Sequence, residues 1–135
     1  PGVTFDDGRT LGGYHNLSHH GKDEVKLSRL EEIETAQMEL FGEFLRDLKS
    51  VNEVDGNLLD NTMVLYGCHM GDANIHNNSN LPIILAGGGF RHGQHLAFNS
   101  QNNTPLCNVF VSMLQKMGVE TDRFASSTGS LTGLV

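Results

Sequence analysis

The chain has no basic cluster, no long apolar run and few cysteines, and each shortage removes a class of function. Nine Lys and Arg are scattered among 16 Asp and Glu, for a net charge of -7 with His neutral. Nucleic acids and anionic lipid surfaces are bound by concentrated positive charge, so neither is the main partner expected here. No stretch reaches the roughly 18 apolar residues of a membrane span, and no signal peptide is visible. Cys68 and Cys107 are too few for a disulfide framework and lack Cys-x-x-Cys spacing. Two buried thiols are expected, with a single bridge as the alternative in an exported protein. No Met precedes Pro1, which suggests a processed form or a fragment.

What is present describes a folded domain. With 135 residues, 38% hydrophobic and only 19% charged, the chain can bury a core. Its 16 glycines make it rich in loops. Residues 1–22 read as an irregular arm with a turn at Asp6-Asp7-Gly8. Asp23 is placed to cap a helix over 23–51, in which Leu27, Leu30, Ile33, Met38, Phe41, Leu45, Leu48 and Val51 recur with helical period. Such a helix is roughly 40 Å long, and its broad stripe predicts packing on a sheet. Asp55-Gly56 marks a turn. Thr62–Gly67 and Leu81–Ala86 read as buried strands, and Leu96-Ala97-Phe98 as a short edge strand. Thr104-Pro105 opens a last helix whose buried face is Val109, Phe110, Met113, Leu114 and Met117, and Gly118 stops it.

This order predicts an α/β domain. A short, mostly parallel sheet is expected to carry the long helix and the C-terminal helix, either as one domain over 1–135 or as the last part of a larger one. Open α/β sheets place their sites beyond the carboxyl ends of the strands, where the loop 68–80 falls.

All seven histidines lie in three loops, at 15/19/20, 69/76 and 92/95. His15 and His19 stand four apart, so a helical turn puts both imidazoles on one face. Imidazole is the commonest metal-binding side chain, and three or four converging N or O donors suit zinc and its neighbours. His15, His19, His20 and His76 are therefore candidate metal ligands. Asp72 is a candidate carboxylate ligand or ring-orienting group. Solvated or backbone-bonded histidines are the plainer reading of any one of them. Ser18 lacks a Gly-x-Ser-x-Gly elbow and is read as a capping or turn residue. Gly87-Gly88-Gly89 lacks a Walker lysine or a Gly-x-Gly-x-x-Gly pattern and is read as a tight turn.

His15-Asn16-Leu17-Ser18-His19-His20 resembles the His-x-x-Ser-His-His motif of the HXXSHH family of bacterial proteins of unknown function. The resemblance continues through Asn80–Gly89, His92–Phe98 and Leu114–Leu134. It implies a distant likeness to the alkaline phosphatase and sulfatase superfamily, an exported protein, and a C-terminal portion of a longer chain. In that superfamily Asp and His from loops at strand ends hold two metals. His15 and His19 resemble its spaced ligand pair and His76 its late histidine ligand. Cys68-His69-Met70-Gly71, followed by Asp72, stands where its Ser-Asp-His-Gly ligand motif would be.

Two functional expectations follow. The first is a metal-dependent hydrolase acting on a phosphate or sulfate ester, with a divalent ion such as zinc and with His92 and His95 as substrate contacts or proton donors. The second is a non-catalytic module of an exported assembly, in which the histidines brace loops or hold one structural metal.

Overall fold

A tight hairpin begins the chain in the computed structural model, which describes residues 2–134. Strands β1 (Val3–Thr4) and β2 (Thr10–Leu11) pair antiparallel, with Val3 opposite Leu11. Gly8 takes φ +83° in the turn, where a side chain would be strained. Two helices follow, α1 (Tyr14–Ser18) and α2 (Glu24–Ser50). Asp23 caps α2 as its position predicts: Oδ1 accepts from the Lys26 N–H at 2.9 Å.

The chain divides into two compact units. The first comprises the chain up to Asp47 together with His69–Leu81. Its core is small: Leu11, Leu17 and Ile33 are buried, with Val3, Phe5 and Leu30 against them. Ile33 is the buried residue of α2, while Leu27, Met38, Leu40 and Phe44 stay exposed. Within this unit the helix therefore packs on the arm, at the hairpin and α1, and not on an extended sheet. The arm is also more ordered than its glycines suggest. Arg9 fastens it by pairing with Asp7 at 2.6 Å and with Glu32 of α2 at 2.9 Å.

The second unit comprises Leu48–Cys68 and the chain from Pro82 onward. A small hairpin joins β3 (Asn52–Glu53) to β4 (Gly56–Asn57). Strand β5 (Met63–Gly67) pairs with β6 (Ile83–Gly87), and helix α3 (Cys107–Lys116) follows. Phe90, Val109, Leu131 and Leu134 form the core, covered by Met63, Leu65, Leu85, Leu96, Leu106 and Met113. The Ser/Thr/Gly-rich tail thus supplies two core leucines. It is pinned by buried Asn108, whose Oδ1 accepts from the Thr128 N–H at 2.9 Å and whose Nδ2 donates to Thr128 Oγ1 at 3.1 Å. At the end of β6 and just beyond it, Gly87, Gly88 and Gly89 all have φ between 62° and 68°. A Cβ on Gly87 would overlap the Thr62 and Leu59 carbonyls, which is why this tight turn is built from glycine.

The expected mostly parallel sheet, and with it an alkaline-phosphatase-like fold, is not what forms. Among the described residues there are three separate two-stranded sheets, all antiparallel. A parallel pair needs a crossover, usually a helix. The segment between β5 and β6 contains only a 3-10 turn, Ala73–Ile75, and the chain returns alongside β5 with Tyr66 opposite Ile84. Leu96-Ala97-Phe98 is irregular and does not add an edge strand. Both cysteines are free, and Cys68 is exposed and not buried as expected. No helix among the described residues is long and apolar enough to cross a membrane.

Candidate functional site: three imidazoles in the first unit

Helix α1 sets the first two rings. His15 lies in its first turn and His19 caps its C-terminus, with the His19 N–H donating to the His15 carbonyl at 3.4 Å. That turn of helix brings the imidazoles together, their ring centres 4.7 Å apart and their planes at 76°. Buried Leu17 points the other way, into the core, and so fixes which face carries the histidines. Ser18 is also buried, and its hydroxyl donates to the His15 carbonyl at 2.9 Å. It serves the turn, as expected.

The third ring comes from the loop 69–81. Asp72 starts the 3-10 turn there, its Oδ1 accepting from the Asn74 N–H at 3.0 Å. The loop closes at its neck, where the Asn77 N–H donates to the Asp72 carbonyl at 2.9 Å and the Gly71 N–H to the Asn77 carbonyl at 2.9 Å. A Cβ on Gly71 would overlap the Ser79 carbonyl, so the neck needs glycine. His76 ends the turn in the left-handed region, at φ 54° and ψ 36°, where residues other than glycine are uncommon. Its ring centre lies 4.7 Å from that of His19, with an interplanar angle of 74°. His19 thus touches both other rings.

Two hydrogen bonds fasten the segments. His19 Nδ1 lies 3.3 Å from the Asn74 carbonyl oxygen, and the Gly21 N–H donates to Asn74 Oδ1 at 2.8 Å. Lys26 brings a positive charge alongside, its Nζ donating to the His19 carbonyl at 3.2 Å and to Asn16 Oδ1 at 3.4 Å. His15 and His76 are exposed and His19 is half-buried. The cluster is open to solvent.

The other candidates are placed differently. His20 turns into its own loop, where Nδ1 accepts from the Lys22 N–H at 3.0 Å. Asp72 spends Oδ1 on the turn that carries Asn74. His92 and His95 belong to the second unit. There His92 Nε2 donates to the Gly87 carbonyl at 2.9 Å and braces the glycine turn, while His95 is exposed. Among the described residues, no three or more His, Cys, Asp or Glu side chains are placed, as they stand, to hold a metal ion. Asn74 and Lys26 are not among the residues expected at the site. Asp72-Ala73-Asn74 carries a usable signal for the first, because Asp at a turn bonds the N–H two residues on.

In comparisons with family models, curated proteins and solved structures, nothing matches the chain.

Proposed function

We propose that the chain is a metal-dependent hydrolase of anionic esters, phosphate or sulfate, with one divalent ion held by His15, His19 and His76. The observation that carries this reading is the pair of ring contacts that His19 makes, at 4.7 Å to each neighbour. With metal–imidazole bonds of about 2.0–2.1 Å, two rings on one ion have centres on the order of 5 Å apart. The spacing of each of these two pairs therefore fits a shared ion, and holding it with all three rings would require the exposed His15 and His76 side chains to turn into other staggered states. Three protein donors with solvent beyond them is the arrangement of a catalytic site, whereas structural sites are closed by four.

The chemistry of the donors favours an anionic substrate. Three neutral imidazoles leave the charge of a divalent ion uncompensated, and Lys26 adds another positive charge beside His19. A bound divalent ion supplies Lewis acidity, which activates water and draws charge from an ester oxygen. The protein's own part is to hold the three rings at one place and to keep one side of them open. The resemblance of residues 15–20 to the His-x-x-Ser-His-His motif is in keeping with this reading.

One observation favours a second reading. The rings already touch edge to face, and Asn74 bonds across to His19 and Gly21, so the histidines also suit a brace between two loops. Elemental analysis of the purified protein and a screen of nitrophenyl phosphate and sulfate esters separate the two. Hydrolysis that needs added zinc, nickel or manganese and is lost in both His15→Ala and His76→Ala supports the hydrolase. A protein that binds no metal and cleaves neither ester leaves the brace.

A further inference from the structure

Asn74 stands out once the site is assembled, because it makes two separate contacts to the segment that carries His19. A carbonyl oxygen only accepts, so the nitrogen of His19 facing the Asn74 carbonyl at 3.3 Å is the one that bears the proton. That leaves Nε2, on the opposite side of the ring, as the nitrogen with the free lone pair. The side chain of the same residue accepts from the Gly21 N–H at 2.8 Å and so fixes the chain just past His19. Asn74 is itself held, its N–H donating to Asp72 Oδ1 at 3.0 Å.

We infer that Asn74 is the positioning residue of the imidazole cluster: its carbonyl locks His19 in the Nδ1–H tautomer, and Asp72 holds Asn74 in place without itself binding the metal. The inference rests on the metal reading for its consequence, since a ligand whose other nitrogen is hydrogen-bonded is both oriented and made more basic. The tautomer lock stands or falls without any metal. The inference gives Asp72 the part of a support and not of a ligand, its Oδ1 holding the turn that carries Asn74. A neutral acceptor serves that turn as well as a carboxylate does, whereas a metal ligand would need the charge.

The test has two arms. In the first, the metal-free protein is labelled with 15N and the His19 ring nitrogens are assigned by NMR at a pH where the ring is neutral. The Nδ1–H tautomer is expected in the wild type. Asn74→Ala keeps the main-chain carbonyl but loses the Oδ1 contact to Gly21 that holds it against the ring, so a mixture is expected there, with Asn74→Asp retaining the wild-type pattern. In the second arm zinc affinity is measured by titration calorimetry. Asn74→Ala and Asp72→Ala are expected to weaken it by about 10–100-fold, as loss of an outer support does, while Asn74→Asp and Asp72→Asn stay close to wild type. Amide NMR spectra of each variant confirm that it is folded. His19 in the Nε2–H form in the wild type overturns the inference. So does an Asp72→Asn variant as weak as Asp72→Ala, because that makes the carboxylate a ligand. A wild type that takes up no zinc sinks the proposed function instead, and the tautomer result then decides this inference alone.

Discussion

His19→Ala removes the ring in contact with both of the others, and the size of its effect follows from what that ring touches. Two edge-to-face ring contacts are lost, at 4.7 Å each, together with the Nδ1 bond to Asn74. Aromatic pairs contribute about 0.5–1.5 kcal/mol each when well packed, and a hydrogen bond about as much. His19 is half-buried between exposed partners, so the low end of each range applies. The sum is roughly 1–2 kcal/mol. At this chain length that corresponds to a fall in Tm of roughly 3–8 °C, read by circular dichroism in metal-free buffer. His20→Ala is the control, because its ring joins neither contact and serves its own loop. It is expected to shift Tm by less than half as much. Equal shifts in the two variants, or no shift in His19→Ala, would refute the claim that the three rings support one another.

Ile33→Ala empties the centre of the first unit's core, where Ile33 is 3% exposed. Urea denaturation is expected to show a loss of about 2–5 kcal/mol, against under about 0.5 kcal/mol for Leu40→Ala on the exposed face. Gly87→Ala meets backbone carbonyls in addition to an unfavourable φ, whereas Gly8→Ala has open space around it and pays for φ alone. Thermal melts should therefore find Gly87→Ala clearly the worse, and equal melts would mean the glycine turn is not tightly packed. Arg9 beside Asp7 holds that carboxyl below its ordinary range, chiefly through their side-chain hydrogen bond. A carboxyl depressed in the folded state stabilises it above the unfolded pKa, and the contribution is lost as pH falls through the folded value. The acid limb of stability below pH about 4 should thus steepen in the wild type relative to Arg9→Gln, and NMR titration of Asp7 should show its pKa rise in that variant. Asn108→Ala strands the Thr128 N–H and should cost about 1–3 kcal/mol, with the tail amides losing hydrogen-exchange protection first.

The elements that were legible in the sequence are those whose signals are local. Asp23 and the helical stripe gave α2 nearly to the residue, since capping and periodicity act within a turn or two. Thr62–Gly67 and Leu81–Ala86 read as short apolar strands for the same reason, and the strands that form are Met63–Gly67 and Ile83–Gly87. Strand direction was not legible. It depends on what lies between the strands, and the polar segment 68–82 carries no mark distinguishing a returning loop from a crossover. The partner of α2 was equally hidden: a broad stripe says which face is apolar, but not that only Ile33 is buried against Leu11 and Leu17.

The site divides in the same way. His15 and His19 share a face because they are four apart, which the sequence states outright. That His76 reaches His19 depends on a left-handed residue at the end of a closed loop, and His20 and Asp72 are drawn off into bonds of their own. Counting histidines treats all of them alike. Only the backbone around each one decides which rings meet.

X-ray absorption of the zinc-loaded wild-type protein decides whether His15, His19 and His76 share one ion, because it reads the donors around the metal without reference to activity. One ion per chain, with three imidazole nitrogens at about 2.0–2.1 Å and a reduced nitrogen count in His19→Ala, is the predicted result. A protein that takes up no zinc, or an ion surrounded by oxygen alone and unaffected by the loss of His19, would contradict it.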